Sequence, residues 1–162
     1  MSQPVDSSAR KIDSFDRAIL RILQKDNKTP QRKIAEAVNL SAAAVQRRIA
    51  AMEGAGVISR NVALVDPYAL PVTITSIVEG RVHDERVATV DAAKALFRST
   101  PEVQQCYYVT GGISFVLIIV TTDMRAYEAL TRRLFAEHDY IESYRSLIAL
   151  DRVKADTSII IP

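Results

Sequence analysis

One cysteine, two histidines and five glycines in 162 residues exclude several kinds of chemistry at the outset. A lone cysteine cannot close an internal disulfide, which rules out a disulfide scaffold and fits a reducing cytoplasm. His83 and His138 have no cysteine or carboxylate spacing that would hold a metal. There is no glycine-rich phosphate loop, so neither a cofactor nor a metal is expected. No apolar run approaches the roughly 20 residues needed to cross a bilayer. The polar N-terminus has no signal-peptide core, so a cytoplasmic protein with no membrane partner is expected. No internal repeat or low-complexity tract occurs. A hydrophobic content of 48% belongs to a globular chain rather than a disordered one.

Charge is distributed unevenly. Residues 1–60 hold eleven Lys and Arg against six Asp and Glu, a net of +5. The whole chain carries only +2, so the remainder is at −3. A basic head suits a polyanion partner, and an acidic body does not.

Helix signals crowd this basic segment. Asp13 is a candidate N-cap for a first helix whose buried face is Phe15, Ile19, Ile22 and Leu23. Thr29 is expected to cap a second helix with Pro30 at its first position, and Ile34, Ala35 and Val38 give that helix an apolar stripe. Asn39-Leu40 breaks the pattern, and Ser41 caps a third helix running to about Gly54. Three helices with a tight turn between the last two make a helix-turn-helix module. At about 100° per residue, Val45, Ile49 and Met52 fall on one side of the third helix. Arg47 points away from them, among Ala43, Ala50 and Ala51, with Gln46 to one side and Arg48 to the other. Small alanines permit close approach to a major groove, where Arg pairs with guanine edges and Gln with adenine. The candidate DNA contacts are Ser41, Ala43, Gln46, Arg47 and Arg48, with Lys28, Arg32, Lys33 and Arg60 nearby as phosphate ligands. The competing reading is an ordinary solvated helix face.

The C-terminal part changes character. Val57-Ile58 and Asn61–Val65 read as short strands, and Asp66-Pro67 as a hinge turn. Val72–Val82 alternates as a strand. Asp84 is expected to cap a helix to Ser99 that buries Val87, Val90, Ala93, Leu96 and Phe97. Strands follow at 103–110 and 114–121, separated by Gly111-Gly112 as a hairpin turn. Asp123 caps a helix to about Glu137 with Tyr127, Leu130 and Leu134 inside, and 141–150 supplies the last strand. The expected fold is therefore α+β, a three-helix helix-turn-helix domain followed by a ferredoxin-like βαββαβ domain. The expected boundaries are a flexible tail at 1–11, the helical domain at 12–58, a hinge strand or linker at 59–70, and the sheet domain at 71–162. Both sides of the 114–121 strand are apolar, so the sheet face without helices needs a cover. A second copy of the sheet provides one.

These residues resemble the Lrp/AsnC, or feast/famine, transcription regulators. The resemblance rests on IDSFDRAILRILQKD, KIAEAVNLSAAAVQRRIAAMEGAGVISRNVALVDP, PEVQQCYYVTGGISFVLIIVTTD and RVKADTSIIIP, which run from Ile12 to Pro162. It implies a sequence-specific regulator that binds double-stranded DNA and forms homodimers, which assemble into tetramers or octamers. It also implies a small-molecule effector, an amino acid or related metabolite, bound at Gly111, Gly112, Ile113 and Ser114. Ser114 stands where the family usually carries aspartate. Either the effector is not a simple α-amino acid, or the site has lost its response. An architectural DNA-compacting protein is the alternative. An enzyme resembling sirohaem decarboxylases, which share the architecture, is disfavoured because no catalytic constellation is visible. Cys106 and the tyrosines read first as packing residues.

Overall fold

Local capping and apolar periodicity build the helical segment as expected in most places. In this computed structural model, residues 10–66, 69–70 and 73–162 are described. The tail expectation for residues 1–9, the Pro67 part of the hinge turn and the Val72 strand start lie outside them. Helix α1 spans Ser14–Lys25, α2 Gln31–Val38 and α3 Ala42–Gly54. Asp13 caps α1 in a reciprocal capping box with Asp16, and the Ser41 side chain accepts from the Ala44 amide. Thr29 behaves differently from its expected role. Pro30 holds the cap position of α2, and the Thr29 hydroxyl donates back to the Asp26 carbonyl at 2.7 Å. Asn39 ends α2 in the left-handed region at φ 54°, a conformation Asn tolerates. Ile19, Ile34, Ala35, Val38, Val45 and Met52 form the buried core of this unit.

The expected strands at 57–58 and 61–65 do not form. Gly56, at φ 70°, turns the chain back so that the Val57 and Ile58 amides both donate to the Met52 carbonyl. Those donors close the end of α3 and are lost to any sheet ladder.

The second unit is a four-stranded antiparallel sheet in the order β2-β3-β1-β4, with β1 Ile74–Val82, β2 Val103–Tyr108, β3 Phe115–Thr121 and β4 Ile141–Ile148. Helices α4 (Val87–Ser99) and α5 (Met124–Thr131) supply Val90, Ala93, Phe97 and Leu130 to the core over one sheet face. This is the expected ferredoxin-like arrangement. Period-two alternation in β1 and β3 sends Val78, Val82, Phe115, Leu117 and Ile119 into that core. The opposite face carries Ile77, Val116, Ile118 and Val120, all part-exposed, and Leu147 at 45% exposure.

One helix start and the course of one helix end differ from expectation in this unit. Asp84 does not cap α4; its carboxylate accepts from the Arg86 amide and the Thr89 hydroxyl, and the helix begins at Val87, which is 76% exposed. After Thr131 the backbone widens into a π-turn, Arg132–Ala136, closed by Glu137 N donating to Arg132 O. The wider turn lets consecutive Leu134 and Phe135 both be buried, Phe135 stacking on Tyr144 at 4.4 Å between centroids.

The chain divides into two compact units, Met1–Leu64 with Lys154–Pro162, and Val65–Val153. The expected boundaries instead keep 154–162 with the sheet. Within the first unit, the Gln24 side chain pairs with the Ile159 amide and carbonyl at 2.9 and 3.0 Å, and Arg21 donates to Ile161 O.

Phe97 lies edge-on to Phe115 at 5.2 Å and tilted against Phe135 at 6.1 Å. Phe97→Ala should therefore destabilise the sheet unit by about 3–5 kcal/mol. Urea unfolding of the full chain, followed by tyrosine fluorescence, measures it. A loss under about 1 kcal/mol would contradict this account of the core.

Candidate nucleic-acid interface and ligand recess

On α3 the buried side is Val45 and Met52, with Ile49 part-buried. Ser41, Ala43, Gln46, Arg47, Ala50 and Ala51 are exposed, as periodicity predicts. Among the described residues, Arg47 makes no ion pair. Lys28 and Lys33 are exposed and likewise unpaired, while Arg32, 89% exposed, sits 3.5 Å from Glu36. Arg60 is exposed.

Arg48 is arranged differently from a phosphate ligand. Its Nη1 donates to Asp13 Oδ2 and Asp16 Oδ1, both at 2.8 Å, and its guanidinium lies over the Phe15 ring at 5.4 Å. Asp16 is only 1% exposed and also takes two 3.0 Å hydrogen bonds from Arg10 Nη2. Arg10, expected in a loose tail, is thus tied to α1. Burial alone would raise the Asp16 carboxyl, but hydrogen bonds from Arg48 and Arg10 outweigh it and hold it below its ordinary value. The clamp joins the start of α1 to the middle of α3. A shallow hollow of about 360 Å³ beside it is lined by Arg10, Arg47, Arg48 and Ala51. Two of its three arginines are neutralised by aspartates, which leaves Arg47 as the open cation.

In the sheet unit, Gly111 and Gly112 sit at φ 110° and 93°, a region that disfavours any side chain. They close the β2–β3 hairpin, where Val109 N donates to Ser114 O at 2.9 Å. The loop borders a recess of about 300 Å³ with Arg81, Glu85 and Tyr108. Ser114 is buried at 1% exposure; its Oγ accepts from Val82 N and donates to Glu85 Oε1 at 2.8 Å. The Tyr108 hydroxyl donates to Glu85 Oε2. The four predicted loop residues do come together, and Glu85 joins them from 29 positions away in sequence. Sequence reading missed Glu85, because an acidic residue just before a helix reads as a solvated terminus.

A model of the AsnC-type helix-turn-helix domain matches residues 12–53, and one of the Lrp/AsnC ligand binding domain matches residues 75–159. The chain belongs to the Lrp/AsnC family. An HTH-type transcriptional regulator of Sinorhizobium fredii is 39% identical over 151 residues, covering 93% of this chain and 89% of that protein. An AsnC family regulator from Agrobacterium tumefaciens superposes with a TM-score of 0.83 at 33% identity, covering 91% and 96%. A feast or famine regulatory protein of Mycobacterium tuberculosis, solved with L-methionine, gives 0.82 at 29% identity, covering 94% and 100%.

This Lrp/AsnC regulator is a transcriptional regulator with a helix-turn-helix DNA-binding domain and a ligand-binding domain. No helix among its described residues is long and apolar enough to cross a membrane. Among the same residues, no group of three or more His, Cys, Asp or Glu could hold a metal. Cys106, expected to pack in the core or on a dimer face, is a free thiol exposed in the single chain, and His138 stacks on Tyr140 at 5.1 Å.

Breaking a buried pair costs about 3–5 kcal/mol; the partial exposure of Arg48 lowers the expectation for Asp16→Asn to roughly 2–4 kcal/mol at neutral pH. The folded Asp16 titrates below its ordinary 3.8. Its contribution is therefore full above that pH and is lost as pH falls through the lower folded value. Stability of the helical unit, followed by far-UV circular dichroism in urea, should drop more steeply below about pH 4 in the parent than in Asp16→Asn. Equal acid slopes in the two proteins would refute the clamp.

Proposed function

We propose that this regulator reads DNA as a homodimer that pairs through the open sheet face and sets two α3 helices into successive major grooves. The half-sites would lie about 34–36 Å apart, giving a roughly palindromic operator. Arg47, with Gln46 and Ala43 beside it, reads base edges. Ser41 fixes the start of the helix, and Lys28, Arg32, Lys33 and Arg60 hold phosphates. Arg48 is reassigned from DNA contact to positioning, since its charge is already paired with Asp13 and Asp16. The observation that carries this reading is the contrast between neighbours: Arg47 exposed and unpaired, Arg48 clamped. Higher assembly into tetramers or octamers follows from the same family reading. The regulator works without catalysis, in the cytoplasm.

The loop Gly111–Ser114 is the effector site in this reading, and an amino acid or related metabolite is the effector. Support comes from the recess at that loop and from the similar mycobacterial protein solved with L-methionine. An effector acts only through differential affinity for two assemblies or head spacings.

Selection of bound duplexes from a random library should return a palindrome. Arg47→Ala should then weaken binding to it by about 1–3 kcal/mol and relax its sequence, as fluorescence anisotropy would read. Lys33→Ala should weaken all duplexes alike. Equal affinity of the parent for selected and random DNA would instead favour the compacting role. Calorimetric titration with the twenty amino acids tests the amino-acid form of this reading, and silence from all of them ends that form.

A further inference from the structure

The recess at the glycine loop holds a carboxylate whose charge is only partly offset, by Arg81 of the same lining acting from a distance. Glu85 makes no ion pair among the described residues. Each of its oxygens instead takes a hydrogen bond from a neutral hydroxyl, Ser114 Oγ at 2.8 Å and Tyr108 OH. Neutral donors fix the group without cancelling its charge. The Tyr108 bond and then the Ser114 bond hold Glu85 below the usual carboxylate range, so it is ionised at neutral pH. The nearby cations have other partners. Arg81 pairs with Glu142 at 2.9 Å, and Lys94 lies 4.6 Å from the Tyr108 ring centre and 3.9 Å from Asp91.

Ser114 cannot play this part itself. Its single proton goes to Glu85, and its oxygen accepts from the Val82 amide deep in the sheet. Its buried position makes it the foot on which Glu85 stands. Glu85 is itself exposed and belongs to the lining of the recess. A carboxylate with spare lone pairs, rigidly aimed by two hydroxyls at a concave loop, is a receptor for a hydrogen-bonding cation.

We infer that Glu85 accepts the ammonium group of an amino-acid effector and is the residue that selects amino acids over carboxylic acids lacking the amine. The inference rests on the reading of the Gly111–Ser114 loop as the effector site. It explains how a loop with serine at position 114 still offers a negative charge, now contributed by the segment between β1 and α4. Tyr108 and Ser114 are positioning residues in this arrangement, and Glu85 is the residue that touches the ligand's ammonium.

The test is calorimetric titration of the full chain with each of the twenty amino acids. Any amino acid that saturates the parent is followed by its analogue with hydrogen in place of the amine. We expect Glu85→Gln to weaken the amino acid at least tenfold while the urea-unfolding transition stays in place, and the parent to bind the analogue at least tenfold more weakly. Binding of the amino acid unchanged by Glu85→Gln, or equal binding of amino acid and analogue, overturns the assignment of Glu85 and leaves the effector site standing. No binding of any amino acid to the parent removes the amino-acid reading of this site, and this inference falls with it.

Discussion

A buried carboxylate between two arginines fixes the part of this regulator that meets DNA. Asp16 lies at the start of α1, nearly inaccessible to water, and a charge there is tolerated only while Arg10 and Arg48 remain bonded to it. Because Arg48 belongs to α3, the electrostatic requirement is also a geometric one. Helix α3 cannot slide along α1 without stranding the Asp16 charge. Hydrophobic contact among Ile19, Ile34, Val45 and Met52 holds the three helices together, but apolar packing is non-directional and leaves axial position loosely defined. The ion cluster supplies the direction.

A related division of labour governs the sheet unit. The aromatic core under α4 and α5 packs the unit together, and the glycine hairpin borders the recess. Gly111 and Gly112 adopt angles that free the loop of side chains, so the recess beside it is lined by backbone and by groups brought from other elements. Ser114 sits where β3 begins, close enough to β1 to bond Val82 and close enough to the β1–α4 segment to bond Glu85. The sheet register therefore decides which carboxylate faces the recess. The opposite, apolar face of the same sheet keeps Val116, Ile118 and Val120 only part-covered, which suits pairing with another copy.

Much of this was legible from short-range pattern. Asp13, Ser41 and Asp123 were each read as helix caps, and each accepts a backbone amide three residues on. Alternation marked 72–82 as a strand, but 114–121 is apolar on both sides, so packing and not pattern decided that Phe115, Leu117 and Ile119 are the buried set. The failures share a cause. Thr29 and Asp84 have cap-competent side chains, but neighbouring turns claimed them first, at Asp26 and at Thr89 with Arg86. Val57 and Ile58 have strand propensity, yet their amides were needed to close α3. Propensity counts what a residue can do, and these positions were settled by competition among several satisfactory bonds.

The sequence by itself determined the order of elements, their principal caps, the two-part architecture and the exposed side of α3. Each of these follows from interactions between residues a few positions apart, or from a period that repeats along one segment. Tertiary structure alone decided which of two adjacent arginines stays exposed without an ion pair and which carboxylate stands in the recess. Arg48 is claimed by Asp16 from 32 positions away and Ser114 by Glu85 from 29. Charges and hydrogen bonds choose partners by distance in space, and that distance exists only once the chain has folded.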